Sequence, residues 1–239
     1  MLKFIGIVLA LLLLCACSTP RMYVPETLRE STSTFAVQGR DGWKINQTIR
    51  FGGFEAGPVK RGWTKGYDYP FLVRFSGASE KFQFPIRQSG GGELQVFCLG
   101  RLREQDLLVF KAYFDVNLRT RDTFTCSAYD QGEMRYEFYA THLNVQQNPG
   151  YKAVAGSLKG AAQGFELHSV WQLESGQRSL GTEPMGYEFA RAGLVVGAVE
   201  TVNAGRVWLT NSLDAADSLA ISAAASALML RSSLADHNE

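Results

Sequence analysis

Apolar side chains recur at every second residue over much of this chain. Trp43, Ile45, Gln47, Ile49 and Phe51 fall on one side of an extended segment, with Lys44, Asn46, Thr48 and Arg50 on the other. Phe82, Phe84 and Ile86 alternate with Lys81, Gln83, Pro85 and Arg87, and Met134, Tyr136 and Phe138 alternate with Arg135 and Glu137. Phe165, Leu167, Ser169, Trp171 and Leu173 alternate with Glu166, His168 and Gln172. Successive side chains of a strand point to opposite faces, so the pattern specifies half-buried antiparallel strands. Further strands are expected over 69–75, 94–99, 107–116, 124–128 and 152–158. Breaks such as Phe51-Gly52-Gly53 and Ser89-Gly90-Gly91-Gly92 separate many of them. Short strands with frequent turns predict a mainly β fold, an antiparallel β-sandwich or a barrel-like domain. Pro85, which has no N–H to donate, predicts an edge strand or a bulge.

The C-terminal part reads differently. Leu194-Val195-Val196-Gly197-Ala198-Val199 is apolar on both faces, as in a strand covered on both sides. Asn203-Ala204-Gly205 fits a three-residue hairpin turn with Gly in the left-handed position, returning through Arg206-Val207-Trp208-Leu209. Asp214 can cap a helix over 214–232. Ala216, Ala220, Ala223, Ala224 and Ala227 give that helix a small-residue stripe, and Leu219, Leu228 and Leu230 add bulk. The helix is expected to pack on the sheet and to cover one face of the doubly apolar strand.

Compartment is read from the N-terminus. Lys3 is followed by an uncharged apolar run from Phe4 to Leu14, then by Cys15-Ala16-Cys17-Ser18. These are the parts of a secretory signal. The run falls short of the roughly 20 residues that a spanning helix needs. Leu14-Cys15-Ala16-Cys17 resembles the lipobox of bacterial lipoproteins, with Cys17 favoured over Cys15 because a small residue precedes it. The resemblance covers residues 1–18. It implies cleavage before Cys17, a diacylglycerol on its thiol and an acylated amine. Ser18 is not the aspartate associated with inner-membrane retention, so the resemblance favours an outer-membrane anchor facing the periplasm. A plain exported chain with Cys17 unmodified is the alternative.

Charge agrees with an anchor made of lipid alone. The whole chain of 239 residues carries 24 basic and 23 acidic side chains. Removing residues 1–16 takes away Lys3 and no acid, which leaves the signs equal. No polybasic patch assists attachment, and no basic face suits a nucleic-acid partner. Cys98 and Cys126 then remain, and one pair in an exported chain is most simply one disulfide. Two reduced thiols packed as small apolar residues are the alternative.

The organisation expected is a signal over 1–16, an acylated N-terminus and tether over 17–40, and a β-rich domain over 41–239 with a weak division near 146–150. The Ser-, Thr- and Pro-rich segment after Cys17 reads as a spacer, or as an ordered extension lying on the domain surface.

Motifs for chemistry are sparse. His142, His168 and His237 stand apart from one another and from Cys, so no metal site is expected. There is no Gly-x-Ser-x-Gly elbow and no Ser-x-x-Lys. Ser157 and Lys159 share a strand face by spacing alone, and Gly156, Gly160 and Gly164 read as turn or bulge glycines. Glu104, Asp106, Asp115 and Asp122 read as solvated turn charges. No catalytic residue and no cofactor is assigned. Aromatic residues gather with basic ones around residues 60–69, and Trp63, Lys65, Tyr67 and Tyr69 form the candidate binding loop, by stacking and cation–π contact. Core packing is its competing explanation.

The expected role is a non-enzymatic envelope lipoprotein, a binding or structural module whose partner is an envelope protein or glycan. A periplasmic hydrolase acting on envelope glycan or peptide, and a carrier of a hydrophobic ligand, are the alternatives. The hydrolase requires converging acids or a Ser/His pair in a cleft, and the carrier an apolar cavity of about 300 Å³ or more.

Overall fold

The computed structural model describes residues 19–40, 46–62, 80–100, 123–141, 154–160, 164–181 and 183–231. The elements are α1 (Glu26–Ser31), β1 (Thr32–Ala36), β2 (Ile49–Phe51), β3 (Phe54–Ala56), β4 (Lys60–Arg61), β5 (Glu80–Gln88), β6 (Glu93–Gly100) and β7 (Thr123–Asp130), then β8 (Glu133–Thr141), β9 (Val154–Gly160), β10 (Phe165–Val170), β11 (Gly186–Arg191), β12 (Leu194–Glu200), β13 (Arg206–Thr210) and α2 (Ala215–Leu230). The strands form one sheet in the order β1-β13-β12-β11-β10-β9-β8-β7-β6-β5-β3-β2, with β4 also beside β5. Every pairing is antiparallel. Just beyond β1, Gln38 exchanges two backbone hydrogen bonds with Arg50 of β2, at 2.9 and 3.0 Å. That bridge links the two ends of the sheet and nearly closes it. Of the two β architectures expected, the barrel-like one is realised.

Alternation sets the register. Phe82, Phe84 and Ile86 of β5 lie opposite Cys98, Val96 and Leu94 of β6, all buried. Cys98 in turn lies opposite Cys126 of β7, and the two form the expected disulfide with Cα atoms 4.1 Å apart. Pro85 is not at an edge, and the irregularity it predicts falls beside it, since the register of β5 against β3 and β4 shifts by one residue between Ile86 and Gln83. Pro85 lies where the partner of β5 changes, with Lys60 of β4 opposite Gln83 and Ala56 of β3 opposite Ile86. The ladder is interrupted where two residues, Pro85 in β5 and Pro58 between β3 and β4, cannot donate to it.

The turn at 203–205 has the expected form, with Asn203 at φ 54° and Gly205 at φ 89°. Asp214 caps α2, its side chain accepting from Asp217 N at 2.7 Å. The helix packs against the sheet as expected, but it is not confined to one face. Every residue from Leu219 to Leu230 is buried. The helix touches β3, β5, β6 and β7 on one side and β12 and β13 on the other. A helix apolar all round must be covered all round, and here the curled sheet covers it. Gly197 of β12 permits the approach: a Cβ there would stand 3.3 Å from Ile221 Cγ2. The helix and the inward-facing residues of the strands make one core.

A second, smaller cluster lies outside the barrel. Met22, Val24 and Leu28 pack on Val170, Met185, Ala198 and Trp208. The second cover of the doubly apolar β12 is therefore the N-terminal segment. Over Met22–Val37 that segment is the ordered extension rather than a free spacer. Its α1 buries Leu28, and β1 pairs with β13 from Thr32 to Ala36, so the sheet begins ahead of the domain start expected at residue 41.

The barrel has two unlike ends. At one, the connections are short: residues 52–53, 89–92, 131–132, 161–164 and 192–193. At the other they are residues 37–48, 62–79, 101–122, 142–153, 171–185 and 201–205. The C-terminus of α2 reaches this second, open end.

Candidate functional site

The open end holds a cavity of about 350 Å³, lined among others by Arg40, Glu183, Tyr187, Thr201, Leu228 and Arg231. Its floor is the last turn of α2. A helix leaves its final carbonyls without intrahelical partners, and burial makes that costly. Arginines from the barrel supply the missing donors. Arg40 Nε donates to Met229 O at 3.0 Å and its Nη1 to Asn203 O at 3.0 Å. Arg61 Nη2 donates to Leu230 O at 2.6 Å. Three cations, Arg40, Arg61 and Arg231, thus gather at the negative end of the helix dipole. Asp214 and Asp217 sit at its positive end, where Arg191 pairs with Asp217.

Electrostatics in the cavity follow from burial. Desolvation lowers the pKa of the Arg40 guanidinium. Burial pushes the Tyr187 phenol above the ordinary tyrosine range, a rise that Arg231 opposes by charge and hydrogen bond and that Glu183 reinforces. Arg231 also lies 5.9 Å from the Phe124 ring centre. The lining is a polar cup with apolar patches from Met185, Val202 and Leu228. It can hold a partly polar group presented from outside the barrel.

The residues singled out in the sequence fare unequally. Cys98 and Cys126 are brought together. Cys17 lies outside the described residues, as do Trp63, Lys65, Tyr67, Tyr69, Glu104, Asp106, Asp115, Asp122, His142 and His237, and the division expected at 146–150. The strands that bound residues 63–79 both meet the open end. His168 is half-buried beside Glu166, with Nε2 3.1 Å from Oε2. Ser157 and Lys159 project from the outer side of β9, since Gly156, Leu158 and Gly160 oppose the inward residues of β8. Among the described residues no group of three or more His, Cys, Asp or Glu side chains could hold a metal ion.

No motif marks Arg40, Tyr187 and Arg231 in the sequence. They come from the 37–48 connection, β11 and the end of α2, and only barrel closure makes them neighbours. The one available signal was Arg231 directly after an apolar helix.

No family model, curated protein or solved structure matches this chain.

Proposed function

We propose that the chain is an envelope lipoprotein, a non-enzymatic binding or structural module held at the periplasmic face of the outer membrane by acylated Cys17. The observation that carries this reading is Leu14-Cys15-Ala16-Cys17 at the end of an uncharged apolar run. The Cys98–Cys126 disulfide supports it, because such bridges persist in oxidising compartments. Two or three acyl chains hold a protein firmly on a bilayer, where one gives marginal binding.

The carrier reading gains nothing from the interior, which α2 occupies; a gap between α2 and β6–β9 measures about 10 Å³. The hydrolase reading gains nothing from the cavity, whose described lining carries one carboxylate, Glu183.

Replacing Cys17 by Ala tests the anchor. The variant should leave the membrane fraction, and the native chain should show diacylglycerol on Cys17 by mass spectrometry. A bare Cys17, or a C17A chain still in the membrane fraction, would overturn the reading.

A further inference from the structure

The N-terminal segment is fastened to the barrel from Pro20 onward. Asn203 Nδ2 donates to Pro20 O at 2.9 Å, and Glu174 N donates to Arg21 O at 2.9 Å. Met22 N donates to Glu200 Oε2 at 3.1 Å, and Tyr23 N to Gln172 O at 2.9 Å. All four attachments lie at the open end, beside the 171–185 and 201–205 connections. Cys17, Ser18 and Thr19 alone separate a lipid on Cys17 from the first of them. Three extended residues reach about 10 Å. The nine-residue strands β5 and β8 run about 30 Å along their own length. A leash that short keeps the tight-turn end away from the lipid.

We propose that the stretch 171–181 at the rim of the barrel docks directly on a phospholipid surface, with Leu180 entering the interface. The inference rests on the acylation of Cys17 proposed above and deepens it, from an anchor to an orientation. Leu180 is fully exposed in the connection that also carries the Arg21 and Tyr23 attachments. Ser179 N donates to Trp171 O at 2.8 Å, which sets Trp171 close to Leu180, and the Arg178 guanidinium lies 5.6 Å from the Trp171 ring centre. An apolar tip with Trp and Arg behind it suits the boundary between acyl chains and headgroups. Arg21, also exposed, adds a cation on the same side. Lying on its side over α1, the barrel would instead turn exposed Glu26, Arg29 and Glu30, a net acidic set, toward anionic headgroups.

Leu194 supplies the control. It is the other large apolar residue exposed among the described ones, and it sits at the tight-turn end. The lipidated full-length chain is reconstituted in vesicles of phosphatidylethanolamine and phosphatidylglycerol, with an environment-sensitive fluorophore on L180C or on L194C. Cys98 and Cys126 are bridged, so the introduced thiol is labelled selectively. The 180 probe should shift to the blue and be quenched by a lipid-borne quencher, and the 194 probe should do neither. An unshifted 180 probe on a chain whose Cys17 is acylated overturns the docking and leaves the anchor standing. A shift at 194 in place of 180 overturns it likewise. An unacylated Cys17 overturns the anchor and the docking together.

Discussion

β5 and β12 lie on opposite sides of the barrel and touch the same helix, yet they bury different amounts of themselves. In β5, Phe82, Phe84 and Ile86 are buried while Gln83 and Pro85 are half-buried and Arg87 is exposed. In β12, the four residues from Gly197 to Glu200 are all buried. Their inner faces meet α2 alike. The difference lies outside, where Met22, Val24 and Leu28 cover Ala198 and Trp208. A strand apolar on both faces therefore announces a second covering element, and here that element is the N-terminal segment. The same packing that seals β12 would shorten the leash of a lipid on Cys17. Under the proposed anchoring, core and orientation are two results of one contact.

Damage to the inner core should give the largest effect. Phe189 of β11 is wholly buried within the cluster that α2 shares with the strands. Phe189→Ala should cost about 3–5 kcal/mol and unfold the molecule as a unit. Chemical denaturation followed by far-UV circular dichroism and by tryptophan fluorescence should show coincident transitions at lower denaturant. Separate transitions would mean that the inner core and the outer cluster are independent.

The wrapping of α2 predicts something that a helix lying on one face does not. Ala223, Ala224, Ala225 and Ser226 span a full turn, and all four are buried. Leu at any one of them should overpack, costing about 1–3 kcal/mol each. A helix with a free face would accept Leu at one of the four without loss of thermal stability, and that result would break the comparison between β5 and β12.

Sequence made the ladder legible and left the layers obscure. Period two exposes each strand's faces, and Asp214, Gly205 and the Cys98–Cys126 pair are local signals with local meanings. The alanine stripe of α2 was legible too. Its significance was harder to see, because Ser222 and Ser226 look like a polar side until every neighbouring position proves buried. The outer cover was obscure because Met22, Val24 and Leu28 keep no sustained period among Ser, Thr and Pro. Arg40 and Arg231 carry no motif at all. What defines them is the carbonyls at the end of α2, and those become a location only when the barrel closes.

The smallest effect should come from the hinge between the two regions. Glu200 ends β12 and is buried, and its Oε2 accepts from Met22 N at 3.1 Å. A hydrogen bond to a charged acceptor contributes more than one to a neutral acceptor. Glu200→Gln keeps the shape and an acceptor but removes the charge, so the global cost should be about 1 kcal/mol. Its sharper consequence is local. The outer cluster is small, so weakening its clamp should let residues 20–31 open while the barrel stays folded. Hydrogen exchange should then quicken at Tyr23, Leu28 and Arg29, whose amides are bonded in the native state, and stay slow in β5 and β6. Equal quickening in β5 would show that outer cover and barrel form one cooperative unit. In that case the N-terminal segment belongs to the core as fully as α2 does, and a lipid on Cys17 would be joined to a part of the molecule that cannot yield without unfolding it.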